Sequence, residues 1–208
     1  MIATDRLVLR NWPHLVVNAD TAGILSVFSR LPEDRADAPE ALFVRACCLA
    51  LQGDTAGARL LRTRGAERAA GDDLGVDGRI SVALAELFTV DEHAVRLDAC
   101  DRLRELLGRD HQLTPRGHAA ALFVVGWAET RLRLDPRRSV EALRSALRAA
   151  QGCDDVDLAR RSAVNLRFAL VMAGRFRDAD EIAEGPLARI AKESDWRAFD
   201  AGIEPFAE

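Results

Sequence analysis

The sequence predicts an all-α fold: a right-handed α-solenoid of about five antiparallel helix pairs. Three observations predict it. Apolar residues recur mostly at three- and four-residue spacing, the signature of amphipathic helices. Alanine, leucine and arginine dominate, and long β-branched runs are missing. The stretch LALQGDTAGARLLR, from Leu49 to Arg62, is echoed 121 residues on by LVMAGRFRDADEIA, from Leu170 to Ala183. Both stretches place a glycine after an apolar run and an alanine five residues later: Gly53 with Ala58, and Gly174 with Ala179. Glycine permits the left-handed backbone that ends a helix, and alanine lets the next helix approach its partner closely.

The elements follow in order. Asp20 to Leu31 puts Ile24, Val27, Phe28 and Leu31 on one stripe, and LPEDRADAPE then breaks it with two prolines. Pro39 opens a helix that stops at Gly53, and Asp54 is the N-cap of a second that runs towards Gly71. Val76 to Asp91 precedes Glu92 to Gly108. Thr114 and Pro115 open a helix that precedes Asp135 to Gly152, with Asp135-Pro136 supplying the turn that glycine supplies elsewhere. A further pair begins near Asp155, and Gly185-Pro186 is expected to kink or split its second helix. The turns lie near Gly53, Val90, Leu134 and Gly174, at intervals of 37, 44 and 40 residues. Such a period signals stacked helix pairs, none of which buries its apolar face alone. The reading is one helical-repeat domain over 1–208, with pairs at 3–31, 39–71, 76–108, 114–152 and 155–193. Residues 194–208, with Trp196, Phe199 and Phe206, either cap the array or begin a truncated repeat; without a cap, that end is expected to form a homodimer.

Of 208 residues, 49% are hydrophobic and 30% charged, a folded and soluble composition. The net charge of −4 argues against a dedicated nucleic-acid or membrane-surface binder. The charge is uneven: 11 arginines face 5 acids between Arg131 and Arg177, and 9 acids face 3 bases from Asp178 onward. Solvated helix faces account for this band, and electrostatic docking of neighbouring helices or subunits is the alternative. Cys47, Cys48, Cys100 and Cys153 lack C-x-x-C spacing, and MIATDRLVLR is charged too early for a leader, so a reducing, cytoplasmic setting is expected. The longest apolar run, Ala119 to Ala128, is half the roughly 20 residues a bilayer requires.

Three quoted pieces carry a family resemblance. NWPHLVVNADTAGILSVFSRLPED, ALFVRACCLALQGDTAGARLL and ALFVVGWAETRLRLDPRRSVEALRSALRAA resemble successive units of the MalT-like helical-repeat domain of LuxR-type ATP-dependent transcription regulators. The resemblance runs over roughly Asn11 to Glu193. It implies a domain that senses an inducer or a partner protein and thereby releases an ATPase. The family's phosphate-cradling G-K-[ST] is not found, since the sole lysine, Lys192, lies in IAKES, and the stretch after Glu193 is expected to be too short for the family's helix-turn-helix. The expected partners are therefore a small-molecule effector or regulatory protein, and the ATPase and helix-turn-helix parts of a regulator if the chain is a portion of one. Arg45 and Arg167 depart from the apolar or small residues that simple tetratricopeptide repeats hold there.

No G-x-S-x-G, H-E-x-x-H or glycine-rich phosphate loop is found, so neither catalysis nor a cofactor is expected. His111 and His118 are seven apart but divided by the helix start at Thr114-Pro115, and they read as surface histidines rather than a metal pair. The candidate binding residues are polar or aromatic groups embedded in the first helix of each pair: Arg45, Glu86, Trp127, Glu129, Arg131, Asn165 and Arg167. Trp127 and Arg131 share an i,i+4 face. On the concave side of a solenoid an arginine can clamp a carboxylate and a tryptophan can stack on a ligand. Alternatively, these charges pair between repeats or face solvent. The leading expectation is effector recognition coupled to transcriptional control; the rival is an interaction scaffold that binds a peptide or helix in its groove.

Overall fold

In the computed structural model the described residues are 2–18, 20–70, 74–132 and 135–184, with side chains described from residue 8. They form α1 (Ile2–Val17), α2 (Thr21–Phe28), α3 (Glu33–Ala36), α4 (Pro39–Leu51), α5 (Thr55–Ala69), α6 (Val76–Thr89), α7 (His93–Leu107), α8 (Pro115–Arg131), α9 (Pro136–Gly152), α10 (Val156–Met172) and α11 (Phe176–Glu184). No strand occurs among them, so the all-α expectation holds. The expected break at LPEDRADAPE contains the one-turn helix α3. Gly185-Pro186 and the expected cap or truncated repeat at 194–208 lie outside the described residues.

The turn written twice in the sequence is built twice. Gly53 and Gly174 have φ of +85° and +70°, the left-handed region. In each, the glycine N–H reaches back three residues and the next N–H reaches back five: Gly53 to Ala50 and Asp54 to Leu49, Gly174 to Val171 and Arg175 to Leu170. This is the Schellman arrangement, which satisfies carbonyls left over at a helix end. The alanines five residues on are buried as the close approach requires, Ala58 at 1% and Ala179 at 2% exposure. A third copy joins α9 to α10 with no glycine. Asp154 takes φ of +54°, and Asp155 N–H donates to the Ala150 carbonyl. Asp54 and Asp155 then cap the next helix, accepting from the Gly57 and Leu158 N–H groups. Elsewhere Pro115 and Pro136 open helices behind Thr114 and Asp135, whose side chains accept from Gly117 and Arg137.

Helices α4 and α5, α6 and α7, α8 and α9, and α10 and α11 pack as consecutive hairpins, and α9 also packs closely on α10. An open stack would confine each repeat to its neighbours. Helix α1 departs from that pattern: it packs on α2 and α4 and, more extensively, on α8. The Trp12 indole N–H donates to Ser81 Oγ of α6 at 3.3 Å. Thr114 N–H donates to the Arg10 carbonyl at 2.9 Å, and a Cβ on Gly117 would sit only 2.6 Å from that oxygen. At its far end His14 Nε2 lies 2.6 Å from Asp155 Oδ2, and Arg161 of α10 donates to the Val17 carbonyl and to Asn18 Oδ1. The first helices of four hairpins thus all meet α1, and Trp12, Val16 and Val17 are fully buried among them. Trp12, which the sequence places at one end of the array, lies in the core.

Candidate functional site

The seven candidate residues do not share one face. Glu129 of α8 has no exposure, and its carboxylate is held by Arg104 of α7 at 2.6 and 2.7 Å and by Arg138 of α9 at 3.2 Å. It braces three helices and presents nothing to a ligand. Glu86 of α6 pairs with Arg102 of α7. Asn165 is buried in α10 and donates from Nδ2 to the Arg161 carbonyl one turn back, 3.0 Å away. Arg45 of α4 turns towards α3 and donates to the Ala36 carbonyl at 3.3 Å. Arg167 is half-buried on α10. For Glu129 and Glu86, pairing between helices is what the geometry delivers.

Trp127 and Arg131 do come together. The C-terminal ends of α4, α6 and α8 and the first turn of α7 enclose a cleft of about 310 Å³, lined by Leu51, Leu87, Phe88, Arg96, Trp127 and Arg131, with Ala128 and Leu132. Phe88 stacks on the indole with centroids 6.2 Å apart and ring planes inclined by 24°. The Arg131 guanidinium sits 4.9 Å from the indole centroid. Both an aromatic ring and a cation therefore already contact the tryptophan, and it acts as a seat for Arg131 rather than as a bare stacking platform. Such a cation–π contact is worth about 0.5–1 kcal/mol at an exposed site.

The electrostatics work against this seat. Burial, and then the charge of Arg96, lower the Arg131 pKa from its ordinary value, although a guanidinium stays protonated. Arg96 is itself anchored by the Val90 carbonyl and lies 3.3 Å from the fully exposed Asp91. Two guanidiniums thus border one apolar recess. Phe88 and Arg96 were not among the sequence candidates. Phe88 lies two residues after Glu86, but nothing in EHAVRLDAC separates Arg96 from the other arginines before the fold is known.

His111 and His118 also meet, despite the intervening helix start. His111 Nε2 lies 2.9 Å from His118 Nδ1, with the rings stacked at 4.8 Å. At that separation the nitrogens share a proton in a hydrogen bond, so one ring donates and the other accepts. Among the described residues no group of three or more histidine, cysteine or acidic side chains is placed to hold a metal ion. No described helix is long and apolar enough to cross a membrane. Compared with protein-family models, with curated proteins and with solved structures, the chain matches none of them.

Proposed function

We propose that the chain is an effector-sensing domain that takes a compact carboxylate with an apolar body in the cleft between α6, α7 and α8. The observation that carries the reading is the pair Arg96 and Arg131, two guanidiniums facing one apolar recess, one of them seated on Trp127. A carboxylate there meets both guanidiniums, beside the contact that Arg96 keeps with Asp91, while Leu51, Leu87 and Leu132 cover its apolar part. The cleft joins the ends of three successive hairpins, so occupancy favours the arrangement in which those ends sit at the observed spacing. The resemblance to the MalT-like repeat domain of LuxR-type regulators supports a cytoplasmic role in which this bias is passed to an ATPase and a helix-turn-helix part.

The interaction-scaffold reading moves to another surface, because α1 lies along the first helices that would form the groove. The exposed Val164, Val171, Met172 and Phe176 of α10 and α11 favour it.

A thermal-shift panel tests the leading reading: benzoate and cyclohexanecarboxylate against neutral benzamide. A ligand that binds only the folded state raises the melting temperature, by an amount equivalent to about 2.7 kcal/mol at a hundredfold excess over Kd. The acids should raise it and the amide should not. If none of the three moves it, the cleft is not a carboxylate site.

A further inference from the structure

We infer a second ligand site, for an amphipathic carboxylate, in the cleft between α5 and α7. This cleft, about 510 Å³, is floored by Phe43, Val82 and Leu106 and bordered by four arginines and two glutamates. Its size and mixed lining match those of small-molecule sites. Among the described residues the charges do not balance locally. Glu86 is taken by Arg102, and Glu105 by Arg109. Arg62 and Arg79 remain, and neither has a carboxylate partner among the described residues. The Nε of Arg62 is buried and has no hydrogen-bond acceptor. An anionic head at Arg62 and Arg79, with a hydrocarbon tail over Phe43, Val82 and Leu106, satisfies the charge and the floor together.

The site shares no residue with the Arg96–Arg131 cleft, so the two are separable by experiment. Calorimetric titration with octanoate, and with 1-octanol as the uncharged control, tests it. Octanoate should bind saturably with a Kd below about 1 mM, and 1-octanol about tenfold more weakly. Arg79→Gln, at an exposed position, should weaken octanoate several-fold, and Arg62→Met with Arg79→Gln at least tenfold. Ala66→Trp, also at an exposed position on the cleft wall, should block binding with every arginine in place. Arg148→Gln, at an exposed position on α9 outside both clefts, should leave octanoate affinity unchanged. Equal binding of acid and alcohol, binding indifferent to Arg62, Arg79 and Ala66, or the absence of saturable binding would each overturn the inference. Loss of binding in Arg131→Gln alone would reassign octanoate to the other cleft.

Discussion

Arg104 Nη2 lies 2.6 and 2.7 Å from the two carboxylate oxygens of Glu129, a group with no exposure at all. The arginine reaches from α7 into α8 and is itself about one-third exposed. Removing one partner strands a buried charge, whereas removing both leaves an apolar gap that packing can fill. Arg104→Ala should therefore cost about 2–3 kcal/mol in urea unfolding, with Arg138 still in place. Arg104→Met combined with Glu129→Leu should recover most of that. Additive losses in the double variant would show that the pair acts independently of one another.

Helix α1 is integral to the core, not a detachable end. Trp12→Ala removes a fully buried side chain and its bond to Ser81, and should cost about 3–5 kcal/mol. Chemical denaturation followed by circular dichroism should show one cooperative transition shifted to lower denaturant. A loss under about 1 kcal/mol would mean that α1 contributes little to the fold.

The histidine pair makes stability pH-dependent. Burial, and then His111, depress the His118 pKa below its ordinary 6.5. The unfolded chain therefore takes up the proton first as pH falls. The stability contribution is complete above that value and is lost as pH drops through it towards the folded-state pKa. The melting temperature of the wild type should fall between neutral and mildly acidic pH by more than that of His118→Gln. Parallel pH profiles for the two proteins would contradict this.

Burial also sorts the four thiols. Cys48 and Cys100 are pushed up to about 12, and Cys47 is raised well above its usual value, in each case first by burial. Only the thiolate reacts appreciably, so these three should resist alkylation in the folded protein. Cys153 is partly exposed at the end of α9. Iodoacetamide under native conditions should modify Cys153 alone by mass spectrometry, and all four after denaturation. Rapid native labelling of Cys47 or Cys100 would mean that the hairpins open.

Local structure was legible because its causes are local. Gly53 and Gly174, Asp54, Thr114 and Asp135 announce turns and caps within a few residues of where they act, and all do so in the structure. Asp154 carries no such mark: it adopts the glycine conformation at a position where the sequence shows only a polar turn. The path of α1 was not legible, since its amphipathic pattern says that it buries a face but not that α8, about a hundred residues on, receives it. The site divided along the same line. Trp127 and Arg131 are partners by helical spacing. Glu129 is indistinguishable from them in sequence, and only the arrival of Arg104 from another helix turns it into a brace. Arg96 enters the cleft for the same long-range reason.

The most direct test of effector sensing at Arg96 and Arg131 is a calorimetric titration of benzoate into wild-type protein and into Arg131→Gln. Binding to the wild type should be saturable and weaken with added salt, and affinity should be at least about tenfold lower in the variant, whose melting temperature without ligand stays close to that of the wild type. Binding of equal strength in both proteins, or none in either, would contradict it.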